Sequence, residues 1–312
     1  MLKDFDSEPA KRDLQMEAKA HIAVQERLEN DLYTQGIFTQ QLISAIHADF
    51  YAELPHSLSV IEKQDGTTID IIGGEYRTGD VKIGFHIPIS AGAINRFMIR
   101  YFEVYGCMNR LRAIRNAGSA HHRLAWIHPF WDGNGRTTRL HTQYALDKVL
   151  GTHGLWSVSR GFARNVDKYK GHLQACDSTR QVDTDGRGYL STKALISFNK
   201  FFLETAIDQV DFMSGLLDVT GLSERVMIWV GSKIAAGSFP VGSDAVFRIL
   251  LTEGGISKAD ASALIGMSER SSRRKFAEWK QLGLVVEPNV RTMRIAFPAS
   301  VAHYWFPGLF PE

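Results

Sequence analysis

The sequence predicts a mainly α-helical protein with one short β-hairpin and a separate small domain near its C-terminal end. Apolar residues recur at helical spacing over much of the chain, and residues 67–85 combine β-branched residues with glycines as a hairpin does. Residues 243–300 have a second pattern of short helices and strands. We therefore expect an N-terminal helical region over 1–65, a core over 66–218, and a linker helix with a small domain over 219–312.

Helical spacing predicts the first helices. Residues 13–30 and 39–52 have helical composition. Residues 90–105 begin with a serine that can cap a helix, and their apolar side chains form one broad stripe, so this helix should face the core. The stripe consists of Ile94, Phe97, Met98, Tyr101, Phe102 and Tyr105.

Later helices are expected at residues 116–127, 137–150, 160–177 and 191–217. In residues 137–150 the apolar side chains surround the whole circumference of the helix. Such a helix should be buried at the centre of a bundle. It would then be a rigid support for the residues that precede it.

Residues 67–85 should form the hairpin. Residues 67–72 and 81–85 favour strands, and Gly73 and Gly74 favour a turn-rich region between them. Such a hairpin is either a purely structural element or an edge to which another polypeptide adds backbone hydrogen bonds. The residues alone leave both alternatives open.

Residues 128–139 form the most informative motif, His-Pro-Phe-Trp-Asp-Gly-Asn-Gly-Arg-Thr-Thr-Arg. His128 precedes a proline, which pushes its backbone out of the α region. The preceding helix should therefore end there, with the imidazole placed to act as a general base. Mg²⁺ is usually held by one or two carboxylates together with phosphate oxygens and water, so Asp132 is the candidate metal ligand.

The turn and the arginines of this motif suit phosphate binding. Gly133, Asn134 and Gly135 allow backbone conformations closed to other residues and turn amide N–H groups toward an anion at the start of the next helix. Arg136 and Arg139 are three residues apart and share one face of that helix. Guanidinium groups suit bidentate contacts with phosphate oxygens. Together these residues predict a site for a magnesium nucleotide.

The motif is similar to the active-site motif of the Fic (filamentation induced by cAMP) family. The family pattern is His-Pro-Phe, an acidic residue, Gly-Asn-Gly-Arg, two residues and Arg, and all nine specified positions are filled here. The resemblance implies a Fic-type helical bundle with a β-hairpin flap that aligns a target segment. It covers roughly residues 70–210.

The resemblance also implies an activity, the transfer of AMP from ATP, with Mg²⁺, to a Ser, Thr or Tyr hydroxyl of a target protein. By position it makes His128 the base and Asp132 the metal ligand. It assigns phosphate binding to Gly133, Asn134, Gly135, Arg136 and Arg139. Transfer of UMP, phosphate or phosphocholine stays open, because side chains elsewhere in the pocket choose the donor.

The inhibitory helix that regulates many members of the family is not expected in this sequence. Many members carry an inhibitory Ser/Thr-x-x-x-Glu-Gly/Asn helix whose Glu pairs with the second arginine of the motif. Glu29-Asn30 and Glu253-Gly254 lack the upstream hydroxyl residue. We therefore expect Arg139 to be free or to be restrained in another way.

Residues 243–300 resemble a winged helix-turn-helix. Three short helices, which begin near Ser243, Ser257 and Ser268, precede strand-like segments at 284–287 and 293–297. Phe276 and Trp279 of the third helix should point inward.

The charge of this region makes DNA binding the competing function. Residues 268–294 contain seven Lys or Arg against three Glu, at the place where a recognition helix would face phosphates. The alternative protein is thus a DNA-binding regulator whose Fic-type core senses nucleotide. Such modules also serve in packing or dimerisation, which leaves a homodimer open.

The overall composition gives little direction about partners. The chain is 44% hydrophobic and 22% charged with a net charge of +2, too balanced to indicate a polyanionic partner by itself. Cys107 and Cys176 are well separated, so a disulfide framework is not expected. No run of 18 apolar residues predicts a membrane span. We expect a cytoplasmic protein without a membrane partner.

Overall fold

The computed structural model of the chain describes residues 8–62, 66–152, 154–216 and 219–307. The chain divides into two compact units, Met1–Val210 and Asp211–Glu312. The first unit contains both the predicted N-terminal helical region and most of the predicted core. The finer division into three parts stays a prediction. No helix in the described ranges is long and apolar enough to span a membrane.

The first unit is mainly helical, as predicted. Its helices are α1 (Pro9–Glu29), α2 (Gln40–Ala52), α3 (Ile94–Gly106), α4 (Arg110–Arg115), α5 (Ala117–Ile127), α6 (Asn134–Leu150), α7 (Val158–Arg164), α8 (Val166–Ala175) and α9 (Thr192–Leu216), which ends beyond the unit boundary. The helix predicted at 160–177 is two helices, because the backbone of Asn165 leaves the helical conformation at φ −130°. α4 was not predicted, since six residues are too few to reveal helical spacing.

α6 lies at the centre of the first unit, as its all-round apolar pattern predicted. It packs against α1, α2, α4, α5 and α7. Leu140 and Tyr144 are buried, and the buried His141 hydrogen-bonds the carbonyl of Ile37 through its Nε2 at 2.8 Å. Because packed elements surround α6, the residues at its start are held in a fixed position.

The small hairpin consists of β1 (Val60–Glu62) and β2 (Thr68–Asp70), which pair antiparallel with Val60 opposite Asp70. The strand predicted at 67–72 is therefore confirmed in type and place. Its predicted partner at 81–85 is wrong. Pairing with residues 60–62 closes a shorter stretch of chain and so costs slightly less conformational entropy.

Residues 81–85 lead into a tight turn instead of a strand. Ile83 and His86 exchange backbone hydrogen bonds of 3.0 and 2.9 Å across this turn. Gly84 has a φ of 57°, a left-handed conformation that glycine adopts without steric cost. Gly84, which the sequence predicts within a strand, is thus the residue at which the chain reverses.

The second unit combines short helices with a small sheet. Its helices are α10 (Val219–Ala235), α11 (Ser243–Thr252), α12 (Lys258–Leu264), α13 (Glu269–Gln281) and α14 (Ala299–Trp305), and its strands are β3 (Ile256–Ser257), β4 (Val285–Val286) and β5 (Thr292–Ile295). The strands pair antiparallel in the order β3-β5-β4. The element order follows the prediction for residues 243–300, and the winged-helix assignment itself stays a prediction.

A core of aromatic side chains holds the second unit together. Phe276 and Trp279 of α13 are buried, as predicted, and Trp279 packs edge-on against Phe247 at 5.2 Å between ring centroids. Ser257 and Ser268 cap α12 and α13, because each hydroxyl accepts a backbone N–H from the first turn of the helix that follows it.

Candidate functional site

His128 occupies an unusual backbone position at the end of α5. The helix stops at Ile127, as the following proline predicted, and His128 has a left-handed conformation with φ 53° and ψ 62°. Such a conformation is uncommon for a residue with a side chain, and it persists where surrounding contacts enforce it.

Arg77 supplies those contacts. Its fully buried side chain donates through Nε to the His128 carbonyl at 2.8 Å. Its Nη1 donates to the Gly79 carbonyl at 2.8 Å and its Nη2 to the Ile89 carbonyl at 2.5 Å. One buried guanidinium therefore joins the backbone of His128 to both ends of residues 79–89, hereafter the 79–89 loop.

The imidazole of His128 is neutral at pH 7. Burial is the main cause that lowers its pKa to about 4, and the neighbouring His86 adds to the effect. A hydrogen bond to the backbone of Ala125 acts in the opposite direction. A neutral imidazole has one N–H donor and one acceptor nitrogen. With the donor directed at Ala125, the other nitrogen can accept a proton.

Asn134 closes the loop between α5 and α6. Its buried carboxamide accepts the Phe130 N–H at 2.9 Å and donates to the Phe130 carbonyl at 2.8 Å. Phe130 is itself buried and stacks on His47, with ring centroids 3.8 Å apart. The side chain of Asn134 is thus hydrogen-bonded within the loop, so its backbone N–H is the group that can donate to a ligand.

The carboxylate of Asp132 is held by two donors. The Tyr51 hydroxyl donates to Oδ2 at 2.9 Å and Arg136 Nη1 donates to the same oxygen at 3.2 Å. Burial acts to raise the pKa of Asp132. Hydrogen bonds from Gly133 N–H and Tyr51, together with the charge of Arg136, outweigh it and lower the pKa below the usual value. Asp132 is therefore an ionised, oriented carboxylate.

His47 fixes the backbone of the same residue. The Gly74 N–H donates to His47 Nδ1 at 2.8 Å, so Nε2 carries the proton and donates to the Asp132 carbonyl at 3.0 Å. Burial lowers the pKa of His47 to about 4, which agrees with a neutral ring. His47 and Tyr51 are four residues apart on α2 and so act on Asp132 from one helix face.

Gly133 is the residue at which the chain turns into α6. It has a φ of 72°, and a Cβ placed on it would lie 2.8 Å from Tyr51 Cε2. Gly135 differs, since a Cβ there would meet only the flexible end of Arg139, at 3.2 Å from Nη1. Gly133 is therefore required by the backbone conformation and by close packing, and Gly135 by neither.

Arg136 is engaged by α1. Its Nη2 donates to Glu17 Oε1 at 2.5 Å while its Nη1 bonds Asp132. The guanidinium also lies 5.3 Å from the centroid of the Phe50 ring. Burial acts to lower the pKa of Arg136, but the two carboxylates outweigh it and raise the pKa. Arg136 is thus paired with two acidic side chains in this structure.

Arg139 has other neighbours. It hydrogen-bonds Tyr169, and within the described ranges no carboxylate lies within 4.0 Å of it. His21 of α1 faces both arginines, and its pKa falls to about 4 through burial first and then the charges of Arg139 and Arg136. Glu29 accepts a hydrogen bond from Gln25. Helix α1 therefore restrains the first arginine of the motif rather than the second.

His128 and Arg139 open onto one cavity of about 510 Å³. Its walls come from the 79–89 loop, the end of α5, the start of α6 and the region of α8. The lining residues are Ile83, Gly84, Phe85, His86, His122, Ala125, Trp126, His128, Asn134, Gly135, Arg139, Tyr169, Lys170, Leu173, Gln174 and Asp177. The volume suits a small-molecule ligand, for which about 300–1,000 Å³ is usual. Of the predicted site residues, Asp132, Gly133 and Arg136 lie outside this lining.

Six residues of the site that precede the motif were not predicted from the sequence: Glu17, His21, His47, Tyr51, Arg77 and His86. All come from segments well before the motif, and no local pattern marks them. The spacing of His47 and Tyr51 was the one available signal, because residues four apart share a helix face.

Comparisons with known proteins agree with the motif. A sequence model of the Fic/DOC family matches residues 37–146. The chain is 32% identical over 113 residues to a protein adenylyltransferase Fic of Drosophila mojavensis and 36% identical over 100 residues to one of Culex quinquefasciatus. These matches cover 36% and 30% of this chain, which spans only 22% and 19% of those proteins.

A solved structure has a similar fold. A Fic family protein from Desulfovibrio desulfuricans G20 aligns with a TM-score of 0.50 at 16% sequence identity. The alignment covers 95% of this chain and 78% of the other.

Alanine at Gly133 should destabilise the protein, whereas alanine at Gly135 should not. A side chain at Gly133 meets both a positive φ and Tyr51, so we expect Gly133→Ala to lower the free energy of unfolding by about 1–3 kcal/mol. Gly135 lies in the first turn of α6, where alanine is the better helix former. Urea unfolding of both variants measures the difference. Equal stability of the two variants would contradict the stated role of Gly133.

Proposed function

We propose that this chain, whose residues 37–146 match the sequence model of the Fic/DOC family, transfers AMP from ATP to a hydroxyl side chain of a target protein. The observation that carries the proposal is that the neutral imidazole of His128 lines the same cavity as Arg139 and the start of α6. In this cavity a general base lies near a helix start that can bind an anion. This arrangement suits the attack of a hydroxyl on a bound phosphate. The adenylyltransferase names of the relatives support AMP as the group transferred.

In the proposed reaction, His128 accepts the proton from the hydroxyl of a Ser, Thr or Tyr side chain. The hydroxyl oxygen forms a bond to the α-phosphorus of ATP, the bond from that phosphorus to the oxygen bridging to the β-phosphate breaks, and diphosphate leaves. A positioned general base contributes about 10²–10⁴-fold to such a step. Because its pKa is about 4, His128 is ready to accept a proton at pH 7.

We assign the phosphates to the turn at Gly133, Asn134 and Gly135 and to the two arginines. The free N–H groups at the start of a helix, where the helix dipole is positive, bind anions. Asn134 and Gly135, at the start of α6, line the cavity. Arg139 already lies there. Arg136 would have to exchange Glu17 for a phosphate oxygen, so α1 would restrain nucleotide binding.

Mg²⁺ fits beside Asp132. The carboxylate is ionised, because its pKa lies below the usual value, and its side chain is 53% exposed. Mg²⁺ takes its remaining ligands from phosphate oxygens and water. Asp132 would hold the ion, which would neutralise part of the triphosphate charge. Tyr51 and His47 would keep Asp132 in place.

Transfer of UMP, phosphate or phosphocholine is the alternative within the same site. His128, the turn and the arginines act on phosphate groups, which these donors share. Lys170 and Gln174 also line the cavity and carry groups that can bond a base. We also propose a cytoplasmic location, since Cys107 and Cys176 are free thiols, as in a reducing compartment.

We propose a second function, DNA binding, for the second unit, which we interpret as a winged helix. Arg270 and Arg273 of α13 are exposed, as are Arg291 and Arg294 at and beside β5. Among the described residues, none of these four arginines has a carboxylate within 4.0 Å. Unpaired arginines on one helix and the adjoining strand suit contacts with DNA phosphates.

Two acidic side chains that dilute the basic charge in the sequence are neutralised within the unit. Glu278 is bonded by Lys275 at 2.9 Å, and Glu287 by Lys258 at 3.0 Å and Lys280 at 3.2 Å. The two lysines lower the pKa of Glu287. These internal pairs reduce the repulsion that the carboxylates would exert on DNA, while Glu269 stays exposed at the start of α13.

Alanine at His128 should remove AMP transfer. We expect label from ATP labelled at the α-phosphorus to enter protein, and His128→Ala to lower the rate by about 10²–10⁴-fold, the usual contribution of a general base. The protein would be incubated with labelled ATP, with cell-lysate proteins as acceptors, and analysed by autoradiography. His56→Ala is the control, because His56 is exposed and outside the site. Incorporation of γ-label instead of α-label would contradict AMP transfer, and α-labelled UTP tests for UMP.

Glutamine at Glu17 should strengthen nucleotide binding. The substitution removes the charge that holds Arg136, so we expect the affinity for ATP to rise by about 3–10-fold, as for a pair worth about 1 kcal/mol. Titration calorimetry with a non-hydrolysable ATP analogue measures the change. Glu29→Gln alters the same helix away from the arginines and serves as the matched control. An unchanged affinity in Glu17→Gln would mean that α1 does not restrain the site.

Removal of two arginines from α13 should weaken DNA binding uniformly across sequences. For the variant Arg270→Ala/Arg273→Ala, we expect weaker binding and a salt dependence reduced by about two phosphate contacts. Fluorescence anisotropy with labelled duplex DNA at several salt concentrations measures both. Arg100→Ala, an exposed arginine paired with Glu103 in the first unit, is the control. If the intact protein leaves the anisotropy unchanged at low salt, the second unit does not bind DNA. His128→Ala should bind DNA as the wild type does.

A further inference from the structure

The 79–89 loop is fastened at its ends and again near its tip. Arg77 bonds the carbonyls of Gly79 and Ile89. Beside the tip, His86 is 18% exposed in its side chain and makes two further bonds. Its Nε2 lies 3.0 Å from the Trp126 carbonyl of α5, and its Nδ1 lies 2.9 Å from Asp177 Oδ2, just after α8. These two bonds connect the loop to two other walls of the cavity, the end of α5 and the region of α8.

The two partners of His86 determine its protonation. A backbone carbonyl can only accept a hydrogen bond, and an ionised carboxylate can only accept as well. A neutral imidazole has a single N–H, so it could make one of these two bonds but not both. Both bonds form together when the ring is an imidazolium. The one alternative is a protonated Asp177 that donates to a neutral ring.

Asp177 depends on this contact. Its side chain is 26% exposed, and its other oxygen, Oδ1, is buried without a hydrogen-bond partner among the described residues. An ionised carboxylate in such surroundings is costly unless a cation faces it. Among the described residues, removal of the His86 ring would therefore take away the hydrogen-bonded partner of the Asp177 carboxylate and leave it facing the more distant charge of Arg187. This favours the imidazolium and carboxylate over two neutral groups.

We propose that His86 is a positioning residue, an imidazolium that fastens the tip of the 79–89 loop to Trp126 and Asp177 and so fixes the wall past which a protein hydroxyl reaches His128. The role in hydroxyl delivery rests on the proposed function, whereas the fastening itself does not. Phe85, at the tip, is 87% exposed, so its own side chain packs little against the protein and the tip depends on the bonds of His86.

The same cation acts on the base. The rings of His86 and His128 have centroids 6.5 Å apart, and Arg77 is the other cation near His128, opposed by Asp132. A fixed positive charge at that distance disfavours a second positive charge on His128 and helps to keep the base neutral before the donor binds. His86 thus acts through the position of the loop and through the charge state of His128.

The protonation of His86 can be measured without any activity. Nitrogen-15 NMR of the histidine rings at pH 7 should give two protonated nitrogens for His86, assigned by loss of its signals in His86→Gln. Asp177→Asn should convert His86 to a ring with one protonated nitrogen, because an amide can donate to Nδ1. His56, whose partner Asp70 is exposed, is the matched histidine: His56→Gln should leave the His86 signals unchanged.

The fastening of the loop is measured by hydrogen exchange. The backbone N–H groups of Ile83 and His86 bond across the turn, and we expect them to exchange about tenfold faster in His86→Gln and in Asp177→Asn, with no further increase in the double variant. Amides of α3 should be unchanged in all variants, as should those of the loop in His56→Gln.

Two results would overturn the proposal. A wild-type His86 with one protonated nitrogen would mean that the ring is neutral and is not the imidazolium proposed. Unchanged loop exchange in both single variants would mean that the contact does not hold the loop. Neither result depends on nucleotide transfer. In turn, a wild type that fails to transfer AMP but gives both expected readouts would remove the proposed function and leave the fastening of the loop intact.

Discussion

The buried guanidinium of Arg77 is the interaction on which the rest of the site depends. A buried cation is costly unless its donors are satisfied, and Arg77 donates to three backbone carbonyls on three different parts of the chain. Those carbonyls belong to His128 and to the two ends of the 79–89 loop. The left-handed backbone of His128 and the course of the loop are therefore fixed by the same group. A shorter lysine side chain, with one nitrogen, could not satisfy three carbonyls in a plane.

Around this centre, most charged groups of the site are already paired. Arg136 is balanced by Glu17 and Asp132, and His86 by Asp177. Arg139 differs, since its partner is the neutral hydroxyl of Tyr169. An incoming triphosphate would therefore meet one available arginine at once and would compete with a carboxylate for the other. Binding would be a replacement of protein anions by ligand anions rather than the filling of an empty positive pocket.

The sequence predicted what depends on neighbours along the chain. Helix α6 was recognisable because its apolar residues cover every side, and the end of α5 because a proline follows His128. The cap at Ser268 is a signal of the same local kind. Pairing of β2 was predicted with the wrong segment, since strand pairing is decided by contacts between distant residues.

The contacts that tune the site lie beyond such local patterns. Glu17 reaches Arg136 across 119 positions of the sequence, and His86 reaches Asp177 across 91. Neither glutamate nor histidine stands out in its own segment. Residue types at short spacing predict which groups take part in catalysis and binding. The packing of helices determines which charged side chains lie next to those groups. Only the first kind of information is available before the fold is known.

The low pKa of His128 makes it a weak base for the proposed reaction. A base with a pKa of about 4 is always free at pH 7 but attracts a hydroxyl proton weakly. Burial and the charge proposed for His86 make it weak, and a bound donor would act against them. A triphosphate beside Arg139 adds negative charge near the ring, which favours the imidazolium and raises the pKa of His128. The base would therefore gain strength when the group to be transferred is in place, and proton removal in the absence of ATP would stay unfavourable.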